Sequence, residues 1–341
     1  MSAAAMGVAK AALFQQLATA VRRAIPVAEV VRVLVDDDAW PRRSRAAIRR
    51  LADGLEQGDT LGAAMAREAT LFAPATTALV EAAQASSPED CAAVLQALAA
   101  DARREGDASR RIAGALDWPL ALVVVLMVVM ATWSVWLAPT MQDSFDSMQP
   151  GAYRPSVFLA SWWIWLPALY ALALAWRAGW LPAVLRDPLD AFLDGFGFIG
   201  RWHVARFAGR LLDWLAACDR MPQLRAPVLA HLRATAGSPR AARVAHELAA
   251  ALEAGTPPGA ALAAIQVLPA RLGVLVKLGE RTGNLPEVLA DLRHDAAEDE
   301  ALAFARFERG CVLASYLAIG VLVGNLLVGV YLPIFKLGTI L

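Results

Sequence analysis

The chain has 341 residues, 58% of them hydrophobic, and its 32 basic and 32 acidic side chains balance to a formal charge of zero. Its mean hydropathy is +0.46. A soluble protein carries about 45–50% apolar residues, so this composition argues against a wholly soluble fold, and the charge balance gives no reason to expect a nucleic-acid partner.

Residues 1–115 read as helix after helix, with apolar side chains at helical spacing in Leu13, Leu17, Ala20 and Val21. No cleavable signal peptide is expected, because the first residues lack a long apolar run. A charge-free run from Trp118 to Gln142 follows, containing PLALVVVLMVVMATWSVWLAP, and predicts a transmembrane helix over 116–140. A short loop, 141–154, leads to PSVFLASWWIWLPALYALALAW and a second span over 155–178. Residues 179–308 return to helical periodicity, as in Leu211, Leu212 and Leu215. GCVLASYLAIGVLVGNLLVGVYLPIF then gives a third span over 309–335, ahead of a tail at 336–341. Each run supplies the roughly 20 apolar residues that a bilayer core requires. Eight of the eleven tryptophans lie in or beside the first two spans, where indole favours the interface.

Charge orients these spans. Arg103, Arg104, Arg110 and Arg111 precede the first, Arg177 and Arg186 follow the second, and Arg306 and Arg309 precede the third. Only Arg154 lies in the first loop and only Lys336 follows the last span. Positive charge collects on the cytoplasmic side. The expectation is a cytoplasmic N-terminus, two cytoplasmic segments, and a periplasmic loop and C-terminal tail.

The two large segments resemble each other. LADGLEQGDTLGAAM (Leu51–Met65) and LAAALEAGTPPGAAL (Leu248–Leu262) agree at eight of fifteen positions at an offset of 197. Ile25-Pro26 pairs with Met221-Pro222, and Leu79-Val80 with Leu275-Val276, at an offset of 196. Gly58 and Gly62 recur as Gly255 and Gly259, and glycine marks helix breaks. The predicted fold is an all-α membrane protein: two repeated antiparallel cytoplasmic bundles of five or six helices, plus three transmembrane helices.

Each copy carries a helical corner. In KLGERTGNLPEVL (Lys277–Leu289), Gly279 and Gly283 can take the left-handed geometry of helix ends. Asn284 suits an N-cap, Pro286 tolerates the first turn, and Glu287 completes a capping box. Ser87, Pro88 and Asp90 play the same parts in the first copy. Glu280, opposite Gln84, is not explained by capping. Its expected role is to fix the hairpin by a hydrogen bond or ion pair, with a protein contact as the first alternative and a metal or catalytic role as the second.

GERTGNLPEVL, with a later span ending VGVYLPIFKLG, resembles the C-terminal repeat of the type II secretion F and type IV pilus platform family. GDTL at Gly58–Leu61, FAP at Phe72–Pro74 and FIGRWHVARFAGRLLDWL at Phe198–Leu215 are also similar to that family. The likeness covers about Leu13 to Gly338 and, by chain length, is nearest the type IVb or conjugative-pilus branch. It departs at Ala83-Gln84, where Gly-Glu is common, and at Pro258, where Leu is usual. The resemblance implies a non-catalytic inner-membrane platform without a cofactor. Its implied partners are a cytoplasmic hexameric ATPase, pilins, other inner-membrane assembly proteins, the lipid bilayer and further copies of itself, with no nucleic acid. A small polytopic transporter or channel component is the alternative.

The residues themselves offer little chemistry. No GxxxxGK[ST] nucleotide loop occurs, and His246-Glu247 lacks the second histidine of a zinc-protease motif. The three apolar runs, 118–142, 155–176 and 310–335, hold no acidic, basic or histidine side chain, against a relay or transport path. Asn325 is the one strong hydrogen-bonding amide within a span, beside the GxxxG of Gly320 and Gly324, which suits close helix packing. Pro333 completes the interaction and structural motif set. His203, His231 and His294 are expected at the surface or capped. The basic stretch Trp40–Arg50 (WPRRSRAAIRR) could meet anionic lipid or an acidic partner. Isolated and odd in number, Cys91, Cys218 and Cys311 point to neither a disulfide framework nor a metal site.

Overall fold

A computed structural model describes residues 3–35, 40, 42–137, 139–140, 143, 167–168, 170–172, 174–175 and 197–338. The described residues are all-helical, with no strand among them. In the first half, α1 (Ala3–Arg22), α2 (Val27–Val35), α3 (Arg42–Glu56), α4 (Leu61–Ala66) and α5 (Pro74–Ser86) lead into the long α6 (Pro88–Thr132). A single π-turn, Trp133–Leu137, continues it. In the second half, α7 (Gly197–Arg220), α8 (Arg225–Ala234), α9 (Pro239–Glu253), α10 (Pro258–Ala264) and α11 (Ala270–Thr282) lead into α12 (Leu285–Gly338).

Local chemistry sets these boundaries. On α3, Ala47, Ile48, Leu51 and Ala52 are buried while Arg49 and Arg50 point outward. α3 and α9 both end ahead of a left-handed glycine, Gly58 at φ 93° and Gly255 at φ 82°. Proline opens α5, α6, α9 and α10, where its missing N–H is not needed. Ser87 accepts from the Asp90 N–H at 3.0 Å, and Glu89 and Asp90 place negative charge against the positive end of α6.

The chain divides into two compact units. The first comprises Met1–Arg110 with Pro182–Phe307, the second Arg111–Leu181 with Glu308–Leu341. Both α6 and α12 contribute residues to each. One apolar core runs through the first unit, from Leu13, Leu17, Ile48, Met65 and Leu79 to Phe207, Trp214, Leu248 and Val276. Within it, α5 of the first half lies against α8 of the second.

The second unit exposes apolar side chains instead. Val125, Val128, Val135 and Trp136 are more than half exposed, as are Leu313, Leu317, Val321 and Val328. Among the described residues, one helix, Pro88–Trp136, is long and apolar enough to cross a membrane. Hydroxyls within the apolar stretches bond carbonyls four residues back, Thr132 to Val128 at 3.0 Å and Ser315 to Cys311 at 2.7 Å, so they need no water. Pro119 lies inside α6, and its missing N–H leaves the Ala115 carbonyl without a helical donor. The second predicted span falls mostly outside the described residues.

Candidate functional site

The corner read from the sequence is a helix-start clamp. Glu280, on α11, accepts the Gly259 N–H at 3.0 Å from the first turn of α10. Gln84, on α5, accepts the Leu61 N–H at 3.1 Å from the first turn of α4. The one-residue difference has a simple cause. The residue equivalent to Leu61 is Pro258, which has no N–H, so the carboxylate takes the next amide along. α4 also has Thr60, whose hydroxyl accepts from Ala63 at 3.2 Å, whereas Pro257 gives α10 no side-chain cap.

The neighbouring residues seat the following helix. Gly283 ends α11 at φ 70°, ψ 12°, and the Asn284 N–H reaches the Gly279 carbonyl at 3.1 Å. Asn284 donates its side-chain amide to the Glu287 carboxylate, a bond between side chains in place of the side-chain-to-backbone pair of a capping box. Gly279 lies within α11 instead of turning left-handed. A β-carbon there would sit 3.2 Å from Leu285 Cα and 3.3 Å from Val288, so its small size admits α12. Gly320, Gly324, Asn325 and Pro333 all lie along the last part of α12, and the two glycines have open space beside them.

A second constellation was not read from the sequence. Asp101 on α6 and Arg210 on α7 form a two-pronged pair at 2.9 and 3.1 Å, each side chain 12% exposed. Arg210 also donates to the Thr235 carbonyl at 2.6 Å and hydroxyl at 2.7 Å. The Trp214 indole N–H donates to Asp101 at 3.0 Å. Buried His231 lies 3.6 Å from Asp101 through Nε2 and 3.2 Å from the Thr76 hydroxyl through Nδ1. Five residues from α5, α6, α7 and α8, with Thr235 just past α8, thus tie the two halves together. Asp213 adds to the tie, 2.5 Å from Arg104 and 3.5 Å from Arg293.

Electrostatics follow from burial and pairing. Burial alone would raise the Asp101 carboxyl. The Arg210 charge, with hydrogen bonds from Arg210 and Trp214 and the His231 ring 3.6 Å away, outweighs it and holds the group far below the usual carboxylate range. Burial prevails at Asp213, which is raised despite Arg104 and Arg293. It also pushes the Cys218 thiol up to about 11 and raises Cys91, which keeps both thiols protonated and unreactive. A cavity of about 40 Å³ beside Trp214, Cys218, Leu229 and Val276 is far smaller than the roughly 300–1,000 Å³ of small-molecule sites. No cluster of three metal-binding side chains occurs among the described residues. The arrangement positions helices.

A family model for type II secretion system protein F matches residues 13–139 and 226–333. The type IV pilus assembly protein TapC of Aeromonas hydrophila is 23% identical over 352 residues, covering 95% of this chain and 80% of its own. The type IV pilus assembly protein PilC of Pseudomonas aeruginosa is also 23% identical, covering 96% of this chain and 90% of its own. The type 4 fimbrial assembly protein PilC of Pseudomonas putida is 25% identical over 345 residues, covering 96% and 83%. With most of its length matched in two stretches that take in both helical corners, the chain belongs to the type II secretion system protein F family.

Proposed function

We propose that this protein is the inner-membrane platform of a type IV pilus or related type II secretion machine. In this reading its two halves are copies of one helical bundle, residues 1–115 and 179–308, both in the cytoplasm. Three spans, at 116–140, 155–178 and 309–335, carry them, with the loop and the tail in the periplasm. The bundles receive a cytoplasmic hexameric ATPase, and the spans meet pilins in the bilayer. The protein performs no chemistry itself; it passes motion of the ATPase to pilins leaving the membrane.

The observation that carries this reading is the continuity of α6 and α12. Each is one continuous helix that contributes residues to both the packed unit and the apolar, exposed one, an unbroken chain connection between a cytoplasmic motor and a membrane cargo. The Asp101–Arg210 tie supports it, because two locked halves move as one body. The related proteins' names, which specify pilus assembly, agree with it. The test is co-purification of the detergent-solubilised full chain with the secretion-type ATPase of its own system. Capture of the hexamer without turnover by the chain is expected; no capture of an intact hexamer would sink the platform reading.

A further inference from the structure

Two charged residues on one face of α7 are shared between α6 and α12 in opposite ways. Asp213 is closed: Arg104 of α6 lies 2.5 Å from it and Arg293 of α12 lies 3.5 Å from it. Arg206 stands seven residues earlier, about two turns along the same face, and is open. Its Nε is buried and has no hydrogen-bond partner. Glu105 of α6 and Glu300 of α12 act on it only through space. Burial and the Arg210 charge push the guanidinium below its ordinary value, against the pull of Glu105, Glu300 and Asp101. Asp101 is already taken by Arg210, and Glu105 also acts on Lys10 of α1. Trp202, one turn from Arg206, holds the guanidinium 5.9 Å from its ring centre. The same indole packs on Phe304 and Phe307 of α12, with ring centres 5.7 and 5.8 Å apart.

A buried cation without a bonded anion is costly, and the two-pronged fork of a guanidinium closes on a single carboxylate. Two acids on two different helices therefore offer Arg206 alternative seats. We infer that Arg206 is a two-position latch, which bonds Glu105 when α6 moves toward α7 and Glu300 when α12 does. The structure holds it between these seats, bonded to neither. The Asp101–Arg210 and Asp213 ties stay closed during the exchange, so it needs only the shift of about 1–2 Å by which packed helices rearrange. Trp202 tolerates that shift, because its apolar contacts with Phe304 and Phe307 have no directional bond to break. The latch is a property of the bundle and depends on neither the ATPase nor a pilin. It gives the two long helices two discrete arrangements, which is what coupling between distant sites requires.

The test uses the full-length chain in detergent. Glu105→Gln and Glu300→Gln each leave one seat, so each alone should lower the thermal midpoint only slightly. The two together strand the guanidinium and should lower it by clearly more than the sum of the single shifts. Arg206→Met added to that double variant should recover most of the loss. Additive losses would mean that both acids hold Arg206 in one place through space, and would overturn the latch. A second measurement does not need the double variant to fold. Spin labels are attached at Arg201→Cys on α7 and Leu302→Cys on α12, both exposed positions. Cys91 and Cys218 are buried, and Cys311→Ser removes the half-buried thiol. Pulsed electron resonance then reads the distance between the labels. Glu105→Gln should shorten it by drawing α12 onto Arg206, and Glu300→Gln should lengthen it by releasing α12. Shifts in the same direction, or none, in chains of native helicity would overturn the inference.

Discussion

The two halves begin their short fourth helix in different ways. α4 has a threonine cap and the neutral amide of Gln84. α10 has Pro257-Pro258, no cap, and the charged Glu280. One backbone requirement, partners for the orphan N–H groups of a first turn, is met twice by different chemistry. The half without that hydroxyl and with one donor fewer holds the carboxylate, which also suits the positive end of a helix. Glu280 was conspicuous in the sequence for that reason, and its isolation is understood through what surrounds it.

The largest effect is expected where the halves meet. Asp101→Ala strands a buried guanidinium and should lower stability by about 3–5 kcal/mol, whereas Asp101→Leu with Arg210→Met should lose much less. Denaturant titration of the solubilised chain measures both, and a loss below about 1 kcal/mol for the single variant would show that the tie is not stabilising. The pH dependence has a definite sign. Because the native carboxyl is depressed, its contribution is full above the unfolded value near 4 and is lost as pH falls below it. Asp101→Asn should therefore flatten the acid limb of the stability profile, and an unaltered limb would assign acid sensitivity elsewhere.

Next comes the closeness of the α10–α11 crossing. A β-carbon at Gly273 would lie 2.4 Å from the Ala263 backbone, while the matching residue of the first half is Thr77, accommodated with its hydroxyl on the Pro74 carbonyl. Gly273→Ala should destabilise by about 1–3 kcal/mol through overpacking, and a neutral melting temperature would mean that the helices can part. Glu280→Ala should lose about 1–2 kcal/mol, but Glu280→Gln, which copies Gln84, only a few tenths. Equal losses would show that the charge, and not the hydrogen bond, matters. Gly283→Ala should cost about 1 kcal/mol for a left-handed alanine, read as a shift in thermal midpoint.

Much of this was legible. Helical periodicity and the uncharged runs gave an all-α chain, and Pro88, Ser87 and Gly283 marked helix ends because capping acts over three or four residues. Glu280 and Gln84 could be matched to each other through the constant offset between the halves, whereas the amides they accept from, Gly259 and Leu61, emerged only from the folded chain. The Asp101 network was illegible for the opposite reason. Its members are separated by up to 155 residues, and nothing in the local spacing of a lone aspartate announces an arginine on another helix. His231, expected at the surface or capped, is 3% exposed for the same cause.

The proline within α6 has a mechanical consequence. A long α-helix resists bending because each amide after the first turn is braced to the carbonyl four residues back. At Pro119 one brace is missing, at the carbonyl of Ala115, and the ring also crowds that turn. Flexure in a rod gathers at its weakest section, so a load applied at either end of α6 is absorbed there instead of spreading along the helix. Compliance in this helix is thus confined to a single turn, between the last of the arginines and the first long run of valines.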